Sequence, residues 1–445
     1  MSASFRPRIG VGPFRHALVL ESPDPSLDRH LRELGIEPFR PAVTPTGDEE
    51  LIALLQAAPY ELIFKRSRVQ ITAAVLDAAP NLFAVVLCCI GDDSVDKRAC
   101  AERGILVIND PVSNGRSVAE LVIGEMILLC RRIFQAVDET RANTFNKSQE
   151  SRFEVQGKTL GLLGLGNIGK QVAQLAQALG MKIVFYDNRD VAKEVGETMG
   201  WSFVPNIADL FAASDVVSAH ISASDYRGRS NENLLQLEHF AAMAQKERPS
   251  PRLFINAARG QIHDTETLIE AVTRGYIGAA MVDVFPVEPS DAKDPWVNPY
   301  AGYPQIYATP HIGAATLEAQ PRIATHVAAT AHHLSTRGRL RNCVFGPKHV
   351  VGLDDADDVS HIMTVVHADT RGTKKAVDDA IYAAGAGNLL SQHRDFTEYG
   401  IAYEVVAIDH PLTPEQLEEL ADEAAKLTGD PTAIRAIRQI RIGGA

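Results

Sequence analysis

Three segments in the second half of the chain each carry one polar residue of a type used in catalysis. Arg259, Glu288 and His311 each follow a predicted strand, where the ligands of parallel sheets collect. A histidine titrates near neutral pH and can take a hydroxyl proton. A neighbouring carboxylate raises its pKa and holds its ring, and a guanidinium binds a substrate carboxylate and polarises the reacting oxygen. Each residue alone has an ordinary structural explanation, but the three together indicate oxidation of a secondary alcohol.

A glycine-rich turn precedes these segments. The sequence Gly164-Leu-Gly166-Asn-Ile-Gly169 joins an apolar strand to a helical pattern. In such a turn Gly164 permits a tight bend, Gly166 lets the backbone approach a pyrophosphate, and Gly169 lets the helix pack on the strand. The next predicted strand ends at Asp187, about 20 residues on, where an acid binds ribose hydroxyls. The pattern predicts NAD, because Asp187 disfavours a 2′-phosphate, although Arg189 leaves use of NADP open.

A small basic set stands out in a chain of formal net charge -12. Arg66-Ser67-Arg68 follows one predicted strand, and Asn146-Lys147 follows a long helical pattern. Two arginines and a lysine suit an anionic substrate through charge-assisted hydrogen bonds. The alternative is a cluster of solvated loop charges, because Arg and Lys are mostly exposed.

Apolar strands alternate with helical patterns in two stretches. The first has predicted strands at 16–20, 62–64, 83–87 and 105–107, with helices at 26–34, 49–57 and 94–103. The second has strands at 159–163, 182–186, 215–218, 253–255, 279–282 and 306–307, with helices at 168–179, 232–244 and 264–274. Further helices are predicted from residue 117, with a capping box of Ser117 and Glu120, and over 316–336. This alternation predicts an α/β protein with two Rossmann-like or flavodoxin-like domains, each a doubly wound parallel sheet.

The C-terminal part follows a different pattern. After a linker at 337–358, strands are predicted at 361–367, 388–392, 401–408 and 434–440, with helices at 373–384 and 414–427. The order strand-helix-strand-strand-helix-strand predicts a ferredoxin-like domain.

Over nearly all of its length the sequence resembles the D-isomer-specific 2-hydroxyacid dehydrogenase family. The resemblance rests on Cys89-Ile-Gly91, the segment from Asn114 to Glu125, the glycine turn, and the segments around Arg259, Glu288 and His311, with gaps of 29 (288 − 259) and 23 (311 − 288) residues. It implies that Arg259 binds substrate, Glu288 supports the histidine and His311 is the acid/base. It implies an NAD site lined by Asn167, Ile168, Asp187, Ala257, Ala258, Arg259, Asp283, His311, Ile312, Gly313 and Ala314.

The resemblance also implies three domains and a substrate site. A discontinuous substrate domain would comprise 1–116 and 317–345, the NAD domain 117–316 and a regulatory domain 355–445. The substrate would be bound by Arg66, Ser67, Arg68, Ile90, Gly91, Asn114 and Lys147. With the basic set, this predicts oxidation of 3-phospho-D-glycerate to 3-phosphohydroxypyruvate. Phe145, where the family usually has Trp, and Asp93, where Asn is common, are departures that bear on substrate fit.

Two alternatives remain open for the function. One is the same reaction on glycerate, lactate or 2-hydroxyglutarate. The other is an NADH-sensing interaction protein that resembles the C-terminal binding co-repressors, which share this fold and these three residues.

The C-terminal part resembles an ACT domain, a module that binds amino-acid effectors between paired subunits. His367 and Gly372 match the turn of the serine-sensing version, and Asn388 matches a later position. Asp369 and Arg371 depart from it, and an aspartate cannot donate to an effector carboxylate as an asparagine amide does. The resemblance implies an effector site at His367, Asp369 and Asn388, and assembly as a dimer or tetramer.

Composition excludes several other classes. The net charge of -12 argues against a general nucleic-acid binder, which needs a basic face. The most apolar run, residues 121–130, is short and carries Glu125, so a buried helix is expected and not a membrane span. Residues 1–12 lack the apolar core of a signal peptide. Five cysteines without metal-ligand spacing predict reduced thiols, no metal site and a cytoplasmic protein.

Overall fold

The computed structural model describes residues 6–225, 229–245, 248–289, 294–346, 350–353 and 359–442. The chain divides into two compact units. The first unit is formed by residues 1–111 and 320–445, and the second by residues 112–319. In the part of the chain described, no helix is long and apolar enough to cross a membrane.

The N-terminal part of the first unit is a parallel sheet covered by helices. Its elements are β1 (Arg8–Val11), β2 (His16–Val19), α1 (Ser26–Glu33), β3 (Glu37–Phe39), α2 (Asp48–Ala57), β4 (Leu62–Lys65), α3 (Ala73–Asp77), β5 (Ala84–Leu87), α4 (Lys97–Glu102) and β6 (Leu106–Asn109). The sheet order is β3-β2-β4-β5-β6, with every pair parallel. Strands β4, β5 and β6 are buried along their whole length, as expected for a sheet covered on both faces. The helix predicted at 94–103 begins only at Lys97, because the Asp96 side chain caps it by accepting from the Ala99 amide.

The second unit is a seven-stranded parallel sheet in Rossmann order. Its elements are α5 (Gly115–Cys130), α6 (Ile133–Arg141), β7 (Thr159–Leu163), α7 (Asn167–Ala178), β8 (Lys182–Tyr186), α8 (Asp190–Thr198), β9 (Ser202–Phe203), α9 (Ile207–Ala213), β10 (Val216–Ala219), α10 (Leu237–Met243), β11 (Leu253–Asn256), α11 (Thr265–Thr273), β12 (Ala279–Val282) and β13 (Ile306–Ala308). The strand order is β13-β12-β11-β10-β7-β8-β9. The chain is therefore a mixed α/β protein with two parallel sheets, as the alternation predicted.

Two predicted helix starts in the second unit are wrong, since α10, predicted from residue 232, begins only at Leu237. Helix α5 begins at Gly115, two residues before the predicted cap at Ser117. The Ser117 hydroxyl lies 2.9 Å from that of Thr316, so it is engaged in a tertiary contact and does not cap the helix. A local pattern of Ser and Glu is thus overridden by packing.

The C-terminal part of the first unit has the predicted strand and helix order. It contains α12 (Ala319–Arg337), β14 (His361–Ala368), α13 (Thr373–Ala383), β15 (Asn388–Phe396), β16 (Ile401–Ile408), α14 (Pro414–Thr428) and β17 (Ile434–Arg441). The sheet order is β1-β17-β14-β16-β15. Residues 354–358, where the predicted domain begins, lie outside the described residues.

Strand β1 is an unpredicted fifth strand of this sheet. It pairs in parallel with β17, from Arg8 opposite Ala436 to Val11 opposite Gln439. The short sequence Arg-Ile-Gly-Val gives no strand pattern by itself, so only the partner strand defines it. The N-terminus is thereby attached to the C-terminal sheet.

Arg438 joins the C-terminal sheet to helix α12. Its buried guanidinium donates to the carbonyls of Leu334 and Ser335 and lies 3.9 Å from the centre of the Phe14 ring. These carbonyls belong to the last turns of α12, where a cation is favoured by the helix dipole. The Tyr403 hydroxyl donates to the Gly338 carbonyl just beyond, at 2.6 Å.

Candidate active site

The glycine turn between β7 and α7 has the geometry of a phosphate-binding turn. Gly164 has a φ of +96°, and a Cβ there would lie 2.7 Å from the His220 carbonyl oxygen. A Cβ on Gly169 would lie 2.3 Å from the Gly164 oxygen. A Cβ on Gly166 would meet nothing within 4 Å, so this position opens onto free space at the helix N-terminus. An open position at a helix N-terminus, where the helix dipole favours negative charge, fits a pyrophosphate group.

Asp187 follows β8 and is held firmly beside this turn. It accepts from the Leu165 amide at 2.8 Å and from the Arg189 guanidinium at 2.7 and 2.9 Å. Burial alone would raise the pKa of Asp187, but the hydrogen bonds and charge of Arg189 bring that pKa below its ordinary value. Arg189 is thus paired with the acid that favours NAD.

Asn256 shapes the loop that carries Arg259. This fully buried side chain ends β11, accepts from the Ala258 amide at 3.0 Å and donates to the Arg259 carbonyl at 3.0 Å. A Cβ on Gly260 would lie 2.0 Å from the Phe285 carbonyl carbon, so the loop packs directly on the segment that leads to Glu288.

Asp283 holds the loop that carries His311. One of its buried oxygens accepts from the Thr309 hydroxyl at 2.6 Å and the Ile312 amide at 2.8 Å, and the other from the Gly313 amide at 2.8 Å. The carboxylate is thus engaged within the protein, where the family resemblance had placed it among residues lining the cofactor site. His311 itself has a φ of +54°, a conformation that non-glycine residues adopt rarely and often at functional sites.

His311 and Glu288 form a close pair. The His311 Nδ1 lies 2.7 Å from Glu288 Oε2, and Glu288 Oε1 accepts from the Phe285 amide at 3.0 Å. The hydrogen bond to Glu288 raises the pKa of His311 above its ordinary value, against the opposing effect of burial. Burial alone would raise the pKa of Glu288, but His311 lowers it.

Arg259 acts electrostatically on both members of the pair. Its charge lowers the pKa of His311 and that of Glu288. The second unit therefore brings together the three residues that the sequence singled out. Because Nδ1 of His311 is bound to Glu288, Nε2 is the nitrogen placed to exchange a proton with a substrate hydroxyl.

Glu125 is an acidic residue near this site to which the sequence assigned no role. It lies on α5 and is 3% exposed, and neither carboxyl oxygen has a hydrogen-bond partner among the described residues. Burial, with a contribution from Asp283, raises its pKa to about 8. The signal in the sequence was one acid within an apolar helical run.

The residues predicted to bind substrate lie in both units. Arg66, Ser67 and Arg68 form an exposed loop after β4 in the first unit. Ile90 and Gly91 follow β5, where the Ile90 carbonyl accepts from Asn109 at 2.7 Å and the Gly91 carbonyl accepts from Cys89 at 3.2 Å.

Asn114 and Lys147 belong to the second unit. Asn114 precedes α5 and is buried, and its Oδ1 has no hydrogen-bond partner among the described residues. Lys147 is exposed, with its ammonium 5.2 Å from the centre of the Phe145 ring.

The three residues predicted to bind an effector do not come together in one chain. His367 is 2% exposed, with Nδ1 2.9 Å from the Ala368 carbonyl and Nε2 3.2 Å from His393. Asn388 is level with His361 at the other end of the sheet, about 20 Å away at about 3.3 Å per residue. Asp369 lies at the His367 end, where its amide donates to the Gly400 carbonyl. Strand pairing thus separates Asn388 from the other two within one chain, and the effector site, which the resemblance places between paired subunits, stays a prediction.

Known proteins match this chain over most of its length. Residues 123–313 match the family described as D-isomer specific 2-hydroxyacid dehydrogenase, NAD binding domain. The D-3-phosphoglycerate dehydrogenase of Escherichia coli K12 is 35% identical over 389 residues, which are 87% of this chain and 88% of that protein. D-3-phosphoglycerate dehydrogenase 2 of Saccharomyces cerevisiae is 32% identical over 82% of this chain and 76% of that protein.

Solved structures agree on the fold. The TT0316 protein of Thermus thermophilus matches with a TM-score of 0.60 and 28% identity, over 74% of this chain and 99% of that one. An NADPH-dependent glyoxylate/hydroxypyruvate reductase of Sinorhizobium meliloti matches with a TM-score of 0.61 and 24% identity, over 74% and 97%.

Proposed function

Because the chain belongs to the D-isomer-specific 2-hydroxyacid dehydrogenase family, we propose that it oxidises 3-phospho-D-glycerate to 3-phosphohydroxypyruvate. Family membership confirms the predicted enzyme class and NAD as the cofactor. The observation that carries the proposal is the 2.7 Å pair of His311 and Glu288, with Arg259 acting on both and the phosphate-binding turn in the same unit. The relatives in E. coli and yeast that bear the phosphoglycerate name support the choice of substrate.

The proposed chemistry begins with a proton. In the oxidising direction the Nδ1–H of neutral His311 donates a hydrogen bond to the Glu288 carboxylate, which leaves the Nε2 lone pair to accept the proton of the substrate hydroxyl. Glu288 stabilises the imidazolium that results, since its charge favours the protonated ring. The Asp283 carboxylate holds the His311 loop while this happens, through the hydroxyl of Thr309 and two amides.

Arg259 binds and orients in this scheme. Its guanidinium holds the substrate carboxylate and stabilises charge on the reacting oxygen. Asn256 fixes the loop from which Arg259 projects. The turn at Gly164, Gly166 and Gly169, together with Asp187, would hold NAD, which would supply the acceptor for the hydride from the carbinol carbon.

Recognition of the phosphate is assigned to the exposed basic residues Arg66, Arg68 and Lys147. Charge-assisted hydrogen bonds from two guanidinium groups favour a phosphorylated acid over an unphosphorylated one.

The proposed domains are 1–116 with 317–345 for substrate, 117–316 for NAD and 355–445 for regulation.

Steady-state NADH formation on a panel of acids tests the proposal. The panel contains 3-phospho-D-glycerate, D-glycerate, D-lactate and D-2-hydroxyglutarate. We expect kcat/KM to be highest for the phosphorylated acid by about a hundredfold or more, the discrimination of a site built to bind an absent polar group. Preference for an unphosphorylated acid would transfer the function to that substrate, and NADH binding without turnover of any acid would favour the co-repressor-like alternative.

For the C-terminal sheet we propose an ACT-type regulatory role. Support comes from its order of strands and helices and from the resemblance of the segment after β14. Within one chain Asp369 is the residue available to an effector ammonium group, since His367 is buried. Calorimetric titration with L-serine tests this role, and absence of heat at millimolar serine would leave the sheet a purely structural part.

A homo-oligomer is proposed from the same sheet. Strand β15 is an edge strand of nine residues whose first five are exposed, including Leu389 and Leu390. A long edge with exposed apolar residues is a template for pairing with another chain. Light scattering should give a dimer or tetramer, and a monomer at micromolar concentration would contradict this.

A cytoplasmic location is proposed because all five cysteines are free thiols.

A further inference from the structure

A fully buried ion pair lies beneath the Arg66–Ser67–Arg68 loop. Glu21 follows β2, and Lys65 is the last residue of β4. These strands are parallel neighbours, so both residues stand at the same edge of the sheet. Neither side chain is exposed, and Lys65 Nζ lies 3.6 Å from Glu21 Oε1.

The pair holds the loop backbone at its beginning and at its end. Lys65 Nζ donates to the Arg66 carbonyl at 2.7 Å and to the Ser94 hydroxyl at 2.6 Å. The Glu21 carboxylate accepts from the Arg68 amide at 3.0 Å and from the Val69 amide at 2.6 Å. The two charges thus hold the carbonyl that opens the loop and the amides that close it.

The Glu21 backbone is unusual in the same way as that of His311. Glu21 has a φ of +63° and Ser22 a φ of +50°, two successive non-glycine residues in the left-handed region. Such conformations persist only where surrounding contacts determine them, and they concentrate at functional sites. The Glu21 carboxylate supplies such contacts, because it can reach the Arg68 and Val69 amides from this turn.

Stability alone does not explain two charges at this position. A buried ion pair is often no more stabilising than apolar residues of similar volume. Burial lowers the pKa of Lys65, and the charge of Glu21 opposes that effect, so the ammonium depends on its partner. What the pair provides beyond stability is a set of directional hydrogen bonds to one loop.

We propose that the Glu21–Lys65 pair is a positioning device for anion recognition, which presets the loop so that Arg66 and Arg68 meet the substrate phosphate without further ordering. The inference rests on the proposed function, because it needs a phosphorylated substrate. Neither residue touches the reacting atoms. Preorganisation lowers the entropy cost of binding, so the pair acts on KM and on discrimination between substrates, while kcat depends on the second unit.

Glu21→Gln is the first test. The amide presents one oxygen and one NH2 group where the carboxylate accepted two amides, so one loop N–H loses its acceptor. We expect KM for 3-phospho-D-glycerate to rise about tenfold or more, because small misplacements of binding groups are costly. We expect kcat, and kcat/KM for D-glycerate, to change by less than about twofold. An unchanged KM for the phosphorylated acid in folded protein would overturn the inference.

The double variant Glu21→Leu with Lys65→Met separates positioning from stability. It removes both charges, so no uncompensated ion is buried and folding is retained. A merely structural pair would then leave KM close to that of the wild type. Positioning predicts that KM for 3-phospho-D-glycerate stays raised about tenfold, because the Arg68 and Val69 amides still lack an acceptor. If neither variant folds, Ser94→Ala, which keeps both charges and removes one Lys65 contact, must raise the same KM or the inference fails.

Asp77→Asn is the matched control in the same unit. It removes the 2.7 Å ion pair with Arg103 and leaves the loop untouched, so Tm can fall while KM stays within about twofold.

Arg66→Ala and Arg68→Ala distinguish failure of the proposed function from failure of this inference. If the wild type does not prefer the phosphorylated acid, the proposed function fails. If it does, and the arginine variants raise KM while the Glu21 variants do not, only this inference fails.

Discussion

Glu288→Gln separates the charge of Glu288, in its pair with His311, from the size of its side chain. The carboxylate accepts from His311 on one oxygen and from the Phe285 amide on the other. Glutamine has nearly the same size but accepts with one oxygen only, so either His311 or the Phe285 amide then faces an NH2 group. The substitution therefore removes the charge and weakens the hold on the His311 tautomer.

The magnitude follows from the kind of hydrogen bond that is lost. A hydrogen bond to a charged group contributes about 1.5–3 kcal/mol. The His311 side chain is 54% exposed and that of Glu288 is 32% exposed, so solvent screening places the loss at the lower end, about 1.5–2 kcal/mol. At about 1.4 kcal/mol per tenfold, kcat/KM should fall about ten- to thirtyfold.

The pH dependence gives the sign of the effect. Oxidation needs neutral His311, so kcat/KM rises with pH through the pKa of His311, which Glu288 holds above about 6.5. In Glu288→Gln that pKa falls, and the acid limb of the profile moves to lower pH. Reduction of 3-phosphohydroxypyruvate needs the protonated ring, so the variant loses that activity at lower pH than the wild type does.

The assay is kcat/KM in both directions across pH, followed by nicotinamide absorbance. Circular dichroism and Tm serve as the control for folding. An acid limb that stays in place, or a loss of less than about twofold on the alkaline plateau, would refute the role assigned to Glu288.

Three further predictions concern residues of the second unit and Arg438 of the first unit. Gly166→Ala should leave Tm unchanged, because the added Cβ meets nothing within 4 Å, but it should raise Kd for NAD. Gly169→Ala should lower Tm, because its Cβ would meet the Gly164 oxygen at 2.3 Å. Thermal unfolding measures Tm and calorimetric titration measures Kd. Burial of Glu125 in its protonated form contributes stability that is fully present below about pH 4.5 and is lost as the pH rises through about 8. The Tm of Glu125→Gln should therefore rise relative to that of the wild type across this pH range. A constant difference in Tm would argue against a buried neutral acid. Arg438→Met should cost about 1–3 kcal/mol in urea unfolding, because the Ser335 carbonyl loses the donor that Arg438 supplies, while the Leu334 carbonyl still accepts from the Gly338 amide; a loss below about 0.5 kcal/mol would contradict that role.

The parallel sheets could be predicted because their signals are local. Runs such as 62–64 and Ala84–Leu87 are apolar and buried on both faces, and the residues after them fall at one edge of the sheet. The glycine turn is equally local, since Gly164 and Gly169 are required by contacts within a single strand-turn-helix unit. Arg259, Glu288 and His311, the residues proposed for catalysis, were identified in the same way, because they follow successive strands.

Residues that support the site could not be predicted so directly. Asp283 holds Thr309, Ile312 and Gly313, which lie 26 to 30 positions further along the chain, and no local pattern carries that information. Glu125 was visible only as an acid in an apolar helix. That its carboxyl oxygens have no hydrogen-bond partner among the described residues depends on what packs around α5. Such roles are set by tertiary contacts.

Strand pairing was equally beyond a local pattern. β1 is defined by its partner β17 and has no pattern of its own. The positions of Asn388 and His367 at opposite ends of the sheet depend on register, which the sequence does not show.

Direct hydride transfer is the central claim, and deuterium at C2 of 3-phospho-D-glycerate tests it most directly. With wild-type enzyme the label should appear in NADH, detected by mass spectrometry. In His311→Asn the rate of its appearance should fall about a hundred- to ten-thousandfold, the usual contribution of a general base. Label released to solvent, or transfer in the variant at the wild-type rate, would contradict the account.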